Sequence, residues 1–200
     1  MPGIILLSTA YLPPVEYFAL IKKADRILIE KEENYLKQTY RNRCRILSPN
    51  GLQVISVPVK RGSLHKTKLK DIEIDYSKRW QQIHLRAISA SYGSSPYFQY
   101  YSGELERIIT SDHRFLLDLN MKLLELILSM IKIKVQVICT SVFEPVNESD
   151  HDFRYRITPK VNSGYCAKEY YQVFSKRGFT PGLSIIDLIF NMGPESSGLL

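Results

Sequence analysis

Arg41, Arg43 and Arg45 stand two residues apart, with Asn42, Cys44 and Ile46 on the intervening and following positions. If 41–47 is extended, the three guanidiniums share one face at intervals of about 6.6–6.8 Å. Like charges that close repel unless something negative lies between them, and guanidinium forks bind phosphate or carboxylate through paired hydrogen bonds. Two partners fit equally well: an internal carboxylate such as Glu30, Glu32 or Glu33, or a diphosphate ligand. Cys44, between Arg43 and Arg45, is a candidate thiol of lowered pKa.

Proton transfer calls for histidine or carboxylate. His84 follows Trp80 by one helical turn and borders an apolar stripe, where a packed histidine competes with a catalytic one. His65 falls in a basic stretch, His151 in an acidic one, and His113 precedes a helix whose start it can serve. Tyr97, Phe98, Tyr100 and Tyr101 can stack on a sugar or base, or pack a core. Asp187 reads as a satisfied carboxylate at the core edge. Near the amino end, Ser8 and Thr9 lie where a strand runs into a loop and then a helix, a layout that can present hydroxyl and backbone N–H donors to phosphate.

The elements that must position these groups read as α/β. Residues 4–7 form a short buried strand, Pro13-Pro14 opens a helix, and 26–29 resumes an extended apolar run. This strand, loop, helix, strand start is Rossmann-like and belongs to a mixed sheet. An inserted hairpin follows, 41–47 and 52–59 joined at Asn50-Gly51, and then a basic loop, 60–70. An alternating strand is expected at 71–75 and a helix capped by Ser77 ends near Gly93. Further helices start at Ser95-Pro96 and span 114–131, with a strand at 134–140. Residues 144–152 read as an exposed loop, 153–157 as a strand, and 165–174 and 183–190 as short helices packed around the sheet.

The whole charge excess of the 200-residue chain sits in its first half, where residues 1–100 hold 16 Lys and Arg against 8 Asp and Glu. From 34 to 70 there are nine basic residues and no carboxylate, so the surface is expected to attract anions. Three cysteines without CxxC or histidine spacing argue against a structural metal site and for a reducing compartment. No signal peptide or membrane span is legible, and the expected location is cytoplasmic. Length and continuity of pattern predict one domain over 1–200.

The run 5–18 (ILLSTAYLPPVEYF), then Asn34-Tyr35, Lys37, Tyr40-Arg41-Asn42-Arg43, Val57-Pro58-Val59, Ser95-Pro96-Tyr97-Phe98 and Leu183-Ser184-Ile185-Ile186-Asp187-Leu188, resembles the WbqC-like protein family along most of the chain. Departures exist: Ser8-Thr9-Ala10 stands where many members carry Gln-Pro, and Lys31-Glu32 where they carry an Asp pair. The resemblance implies a place among bacterial surface-polysaccharide genes, near nucleotide-activated or lipid-linked amino sugars. The expected function is then acyl or aminoacyl transfer to a nucleotide-activated amino sugar in O-antigen or lipopolysaccharide assembly. Ser8, Thr9, Tyr11, Tyr17, Asn34, Lys37, Arg43, Arg45 and Lys60 are expected to hold the phosphorylated sugar or nucleotide-sugar, with His84 or Glu32 handling a proton. No cofactor or metal is expected. The competing readings are a nucleic-acid- or anion-binding module built on 34–70, and a scaffold that has lost its activity.

Overall fold

The computed structural model describes residues 3–60, 66–145, 151–161, 163–175 and 178–200. Strand β1 (Ile4–Ser8) is followed by helix α1 (Val15–Ile21) and strand β2 (Arg26–Glu30). β1 and β2 pair in parallel, Ile4 opposite Arg26 through Ser8 opposite Glu30. Pro14 is the N-cap of α1, with φ −67°, which is the turn its ring is built for. Alternation fixes the faces: Leu7, Ile27 and Ile29 are fully buried, each side chain stabilising by roughly 1.5–3 kcal/mol on burial.

Strand β5 (Gln136–Cys139) adds to β2, also in parallel, giving the sheet order β1-β2-β5. The hairpin forms its own two-stranded antiparallel sheet, β3 (Arg43–Ser48) with β4 (Gly51–Ser56). Its turn is Pro49-Asn50, one residue earlier than the Asn-Gly pair suggests, and Gly51 opens β4 at φ +105°, a conformation that favours glycine. Arg41 falls before β3 and so leaves the face shared by Arg43 and Arg45.

Helices α2 (Trp80–Tyr92), α3 (Phe98–Thr110), α4 (Leu116–Met130), α5 (Ile185–Met192) and α6 (Ser196–Leu199) complete the order, and their apolar stripes join both sheets in one core cluster. α2 starts after Arg79 without a side-chain cap, whereas Ser77 uses its N–H on Asp75 Oδ1 at 2.8 Å, so the expected Ser77 cap is not formed. Residues 71–75 keep their alternation, with Ile72 and Ile74 buried, but make only isolated bridges to Val59 and Phe115 after a short 3-10 turn at Leu69–Asp71.

Three further expectations change for tertiary reasons. Residues 165–174 are irregular, because Tyr170 and Gln172 direct their side chains to Asp187 instead of closing a helix. Residues 153–157 form turns after a single bridge from Asp152 to the free edge of β1, where Phe153 donates to Leu6 O at 2.8 Å. Asp152 itself is buried against Arg154 rather than exposed, while 146–150 lie outside the described residues, as do Arg61 and His65. Among the described residues no helix is long and apolar enough to cross a membrane.

Candidate functional site

The three arginines separate into two kinds. Arg41 is 4% exposed, and its Nε and Nη2 donate to Glu33 at 2.9 and 2.6 Å. Nη2 also donates to Ser8 Oγ at 2.7 Å, so the fork already has an internal carboxylate. Arg43 and Arg45 lie on the half-buried face of β3, opposite the buried Cys44 and Ile46. Among the described residues neither makes an ion pair. Arg45 Nη2 donates to Pro159 O at 2.6 Å, and Arg43 Nε is enclosed without a hydrogen-bond partner.

Arg45 faces a cleft of about 360 Å³, with Tyr40, Lys160, Glu16, Tyr165 and Tyr170 in its walls. A shallower recess of about 210 Å³ adds Arg43 and Gln38, and the two share Tyr40, Arg45, Pro159 and Lys160. Arg43, Arg45 and Lys160 thus line the recess together, and Arg45 and Lys160 also line the cleft. Glu16, in the first turn of α1, is the carboxylate in that wall and accepts from the Ser163 hydroxyl. Burial raises the pKa of Tyr40 despite the opposing Arg45 charge, and burial with Glu16 raises that of Tyr165, so both phenols are neutral at pH 7. Guanidinium and ammonium donors of this kind can pair with phosphate, and phenol rings can stack on a sugar or base.

The other residues named from sequence lie elsewhere. The Ser8 hydroxyl donates to Arg154 O at 2.9 Å and Tyr17 donates to Ser8 O at 3.0 Å. With Thr9, Arg41 and Arg154 they bound a space of about 10 Å³, the size of a single water. The Val15 N–H, at the start of the seven-residue α1, is bonded to Leu183 O. Tyr11 is buried against His84, its hydroxyl 2.9 Å from Nδ1. Desolvation brings His84 down to about 4, against a smaller opposing effect from a backbone bond at Ser56.

Glu32 receives Lys68 and Lys70 at 2.8 and 2.9 Å, and those bonds hold its carboxyl at about 2. Lys60 reaches Glu73 at 2.5 Å, while Asn34 and Lys37 are exposed. Of the named residues, then, only Arg43 and Arg45 meet, in the recess beside the cleft. The same pairings divide the 34–70 basic stretch, since Arg41, Lys60, Lys68 and Lys70 each face a glutamate. Cys44 is corrected: it points away from the two arginines into the core, and burial pushes its thiol up, not down.

Sequence reasoning missed Glu16, Lys160 and Tyr165. Glu16 stood in the quoted 5–18 run without a role, and nothing local signals that the Pro159 carbonyl meets the Arg45 side chain. It also missed Arg154, which lay in the expected 153–157 strand without a role.

Residues 9–167 match the model of the WbqC-like protein family. The chain is 29% identical over 232 aligned positions to the uncharacterized protein Rv1507c of Mycobacterium tuberculosis (strain ATCC 25618 / H37Rv), covering 100% of this chain and 98% of that protein. No solved structure gives a significant match.

Proposed function

The chain belongs to the WbqC-like protein family, and from that premise we propose that it is a cytoplasmic transferase acting on a phosphorylated or nucleotide-activated amino sugar in surface-polysaccharide assembly. The observation that carries the reading is the pair Arg43 and Arg45, which share one opening with Lys160 and have no carboxylate partner among the described residues. Two guanidiniums and an ammonium around an aromatic-walled opening suit a diphosphate with a sugar or base beside it. In the transfer step the sugar amine attacks an activated acyl or aminoacyl carbonyl. The C–N bond forms, the bond to the leaving group breaks with its electron pair, and Glu16 takes the ammonium proton.

Nucleotide-sugars, acyl-coenzyme A donors and short RNA are compared by thermal unfolding. At a hundredfold excess over Kd, a nucleotide-sugar is expected to raise Tm by about 5–10 °C. Arg43→Ala and Arg45→Ala lose that rise. A rise retained in both variants overturns the site, and a rise produced by RNA alone, falling steeply with salt, replaces the transferase by a nucleic-acid-binding module. Binding without product from any donor and acceptor pair favours a scaffold without activity.

A further inference from the structure

A second cavity, of about 610 Å³, shares Glu16, Val161, Ser163 and Tyr165 with the cationic cleft as a common wall, in which Glu16 accepts from the Ser163 hydroxyl. The rest of its lining has a different character. Leu20, Phe153, Tyr155 and Ile157 are apolar or aromatic, and Arg156 is the one cation among the described lining residues. Leu20, Phe153 and Ile157 pack on the hydrophobic core, so this side of the cavity is a margin of that core left open. Its volume falls in the range of about 300–1,000 Å³ usual for small-molecule sites.

The Arg156 guanidinium lies over the Phe153 ring, 5.3 Å from the centroid. That contact uses the flat face of the guanidinium, whereas a carboxylate is bound through the N–H donors along its edge, so the two are compatible. Tyr155 contributes its ring, because its hydroxyl is hydrogen-bonded to Glu33.

We propose that this cavity binds a small organic carboxylate with an apolar body, the carboxylate on Arg156 and the body against Leu20, Phe153 and Ile157. One cation beside an otherwise apolar margin selects that class: the body gains by leaving water, and the single charge gains from the guanidinium. Glu16, in the common wall, opposes further negative charge, so a monoanion fits where a phosphate dianion does not. The site stands independently of the cleft and of the transferase reading.

Calorimetric titration of the full chain compares 3-phenylpropionate with propionate, 3-phenylpropan-1-ol and 3-phenylpropylamine. The phenyl-bearing acid is expected to bind about tenfold more tightly than each of the others. Arg156→Gln, at an exposed position, brings the acid and the alcohol to equal affinity. In methyl NMR spectra the acid shifts the signals of Leu20, Ile157 and Val161, and Arg45→Ala leaves its affinity within about twofold.

An alcohol that binds as tightly as the acid, or a preference for the acid that survives Arg156→Gln, overturns the anchor. Tighter binding of the amine gives the choice of charge to Glu16 and overturns the carboxylate assignment. Propionate binding as tightly as the phenyl-bearing acid removes the apolar wall from recognition. Loss of acid binding in Arg45→Ala moves the ligand to the cationic cleft, and no binding, or methyl shifts confined to other residues, removes the site.

Discussion

The Arg154 guanidinium lies 3.1 Å from the Glu30 carboxylate, with both side chains 1% exposed. Glu30 ends β2 at the carboxyl edge of the parallel sheet, and Arg154 comes from the segment bonded along β1, where it also meets Asp152 at 2.6 Å and Glu144 O at 2.8 Å. Together with Arg41 and Glu33, these ionic side chains fill the edge at which open α/β sheets usually receive a ligand. The cleft is consequently displaced onto the hairpin.

Removing Arg154 leaves two buried carboxylates facing the interior. Arg154→Met is expected to cost about 3–5 kcal/mol at pH 7 by urea unfolding. A cost below about 1 kcal/mol at pH 7 contradicts the account.

The α/β start was legible because its code is local: 4–7 and 27–29 are continuous apolar runs, and Pro13-Pro14 marks the helix between them. The hairpin was legible through Asn50-Gly51 and the alternation around Cys44. The site was legible only by half. Arg43 and Arg45 follow from strand period, but Lys160 and Tyr165 arrive with the chain whose Pro159 carbonyl accepts from the Arg45 guanidinium, more than a hundred positions apart, which no local pattern encodes. Arg154 was missed for the same reason, since its partner Glu30 lies more than a hundred positions away.

His84 gives the fold an acid-sensitive point. Its imidazole, ordinarily near 6.5, is held at about 4, mainly by burial. Below 6.5 the unfolded chain binds the proton more readily, so stability is complete at neutral pH and falls as pH drops toward 4, by about 3 kcal/mol. His84→Gln retains a partner for the Tyr11 hydroxyl and is expected to flatten that decline in urea unfolding between pH 7 and 4. An unchanged slope in the variant assigns the sensitivity to other groups.

Asp187 acts with the opposite sign. Burial raises its carboxyl to about 6, although Tyr170, Gln172 and Tyr92 donate to it and oppose the shift. The folded chain therefore holds the proton more tightly than the unfolded chain. This contribution, about 3 kcal/mol, is present below about 4 and disappears as pH rises through 6. Because His84 acts with the opposite sign over the same range, the effect is read as a difference from wild type: the cost of Asp187→Asn is expected to be about 3 kcal/mol larger at pH 4 than at pH 7, on top of any uniform cost from weaker bonds to Tyr170 and Gln172. A cost that does not change with pH rules Asp187 out as a source of pH dependence.

Gly193 and Gly103 predict opposite signs for one substitution. Gly193 follows α5 at φ +52°, and an added Cβ would stand 2.5 Å from Cδ1 of Tyr97. Gly193→Ala therefore combines a backbone conformation unsuited to a side chain with a clash against a ring, at a cost of about 2–5 kcal/mol. Tyr97→Ala in the same background returns the clash but not the backbone strain. Gly103 lies exposed inside α3, with nothing within 4 Å of its added Cβ. Gly103→Ala is expected to stabilise by about 0.5–1 kcal/mol, by removing unfolded-state freedom and helping the helix. Thermal unfolding of the two single variants side by side checks the pair, and equal or like-signed shifts contradict the placement of Gly193 against Tyr97.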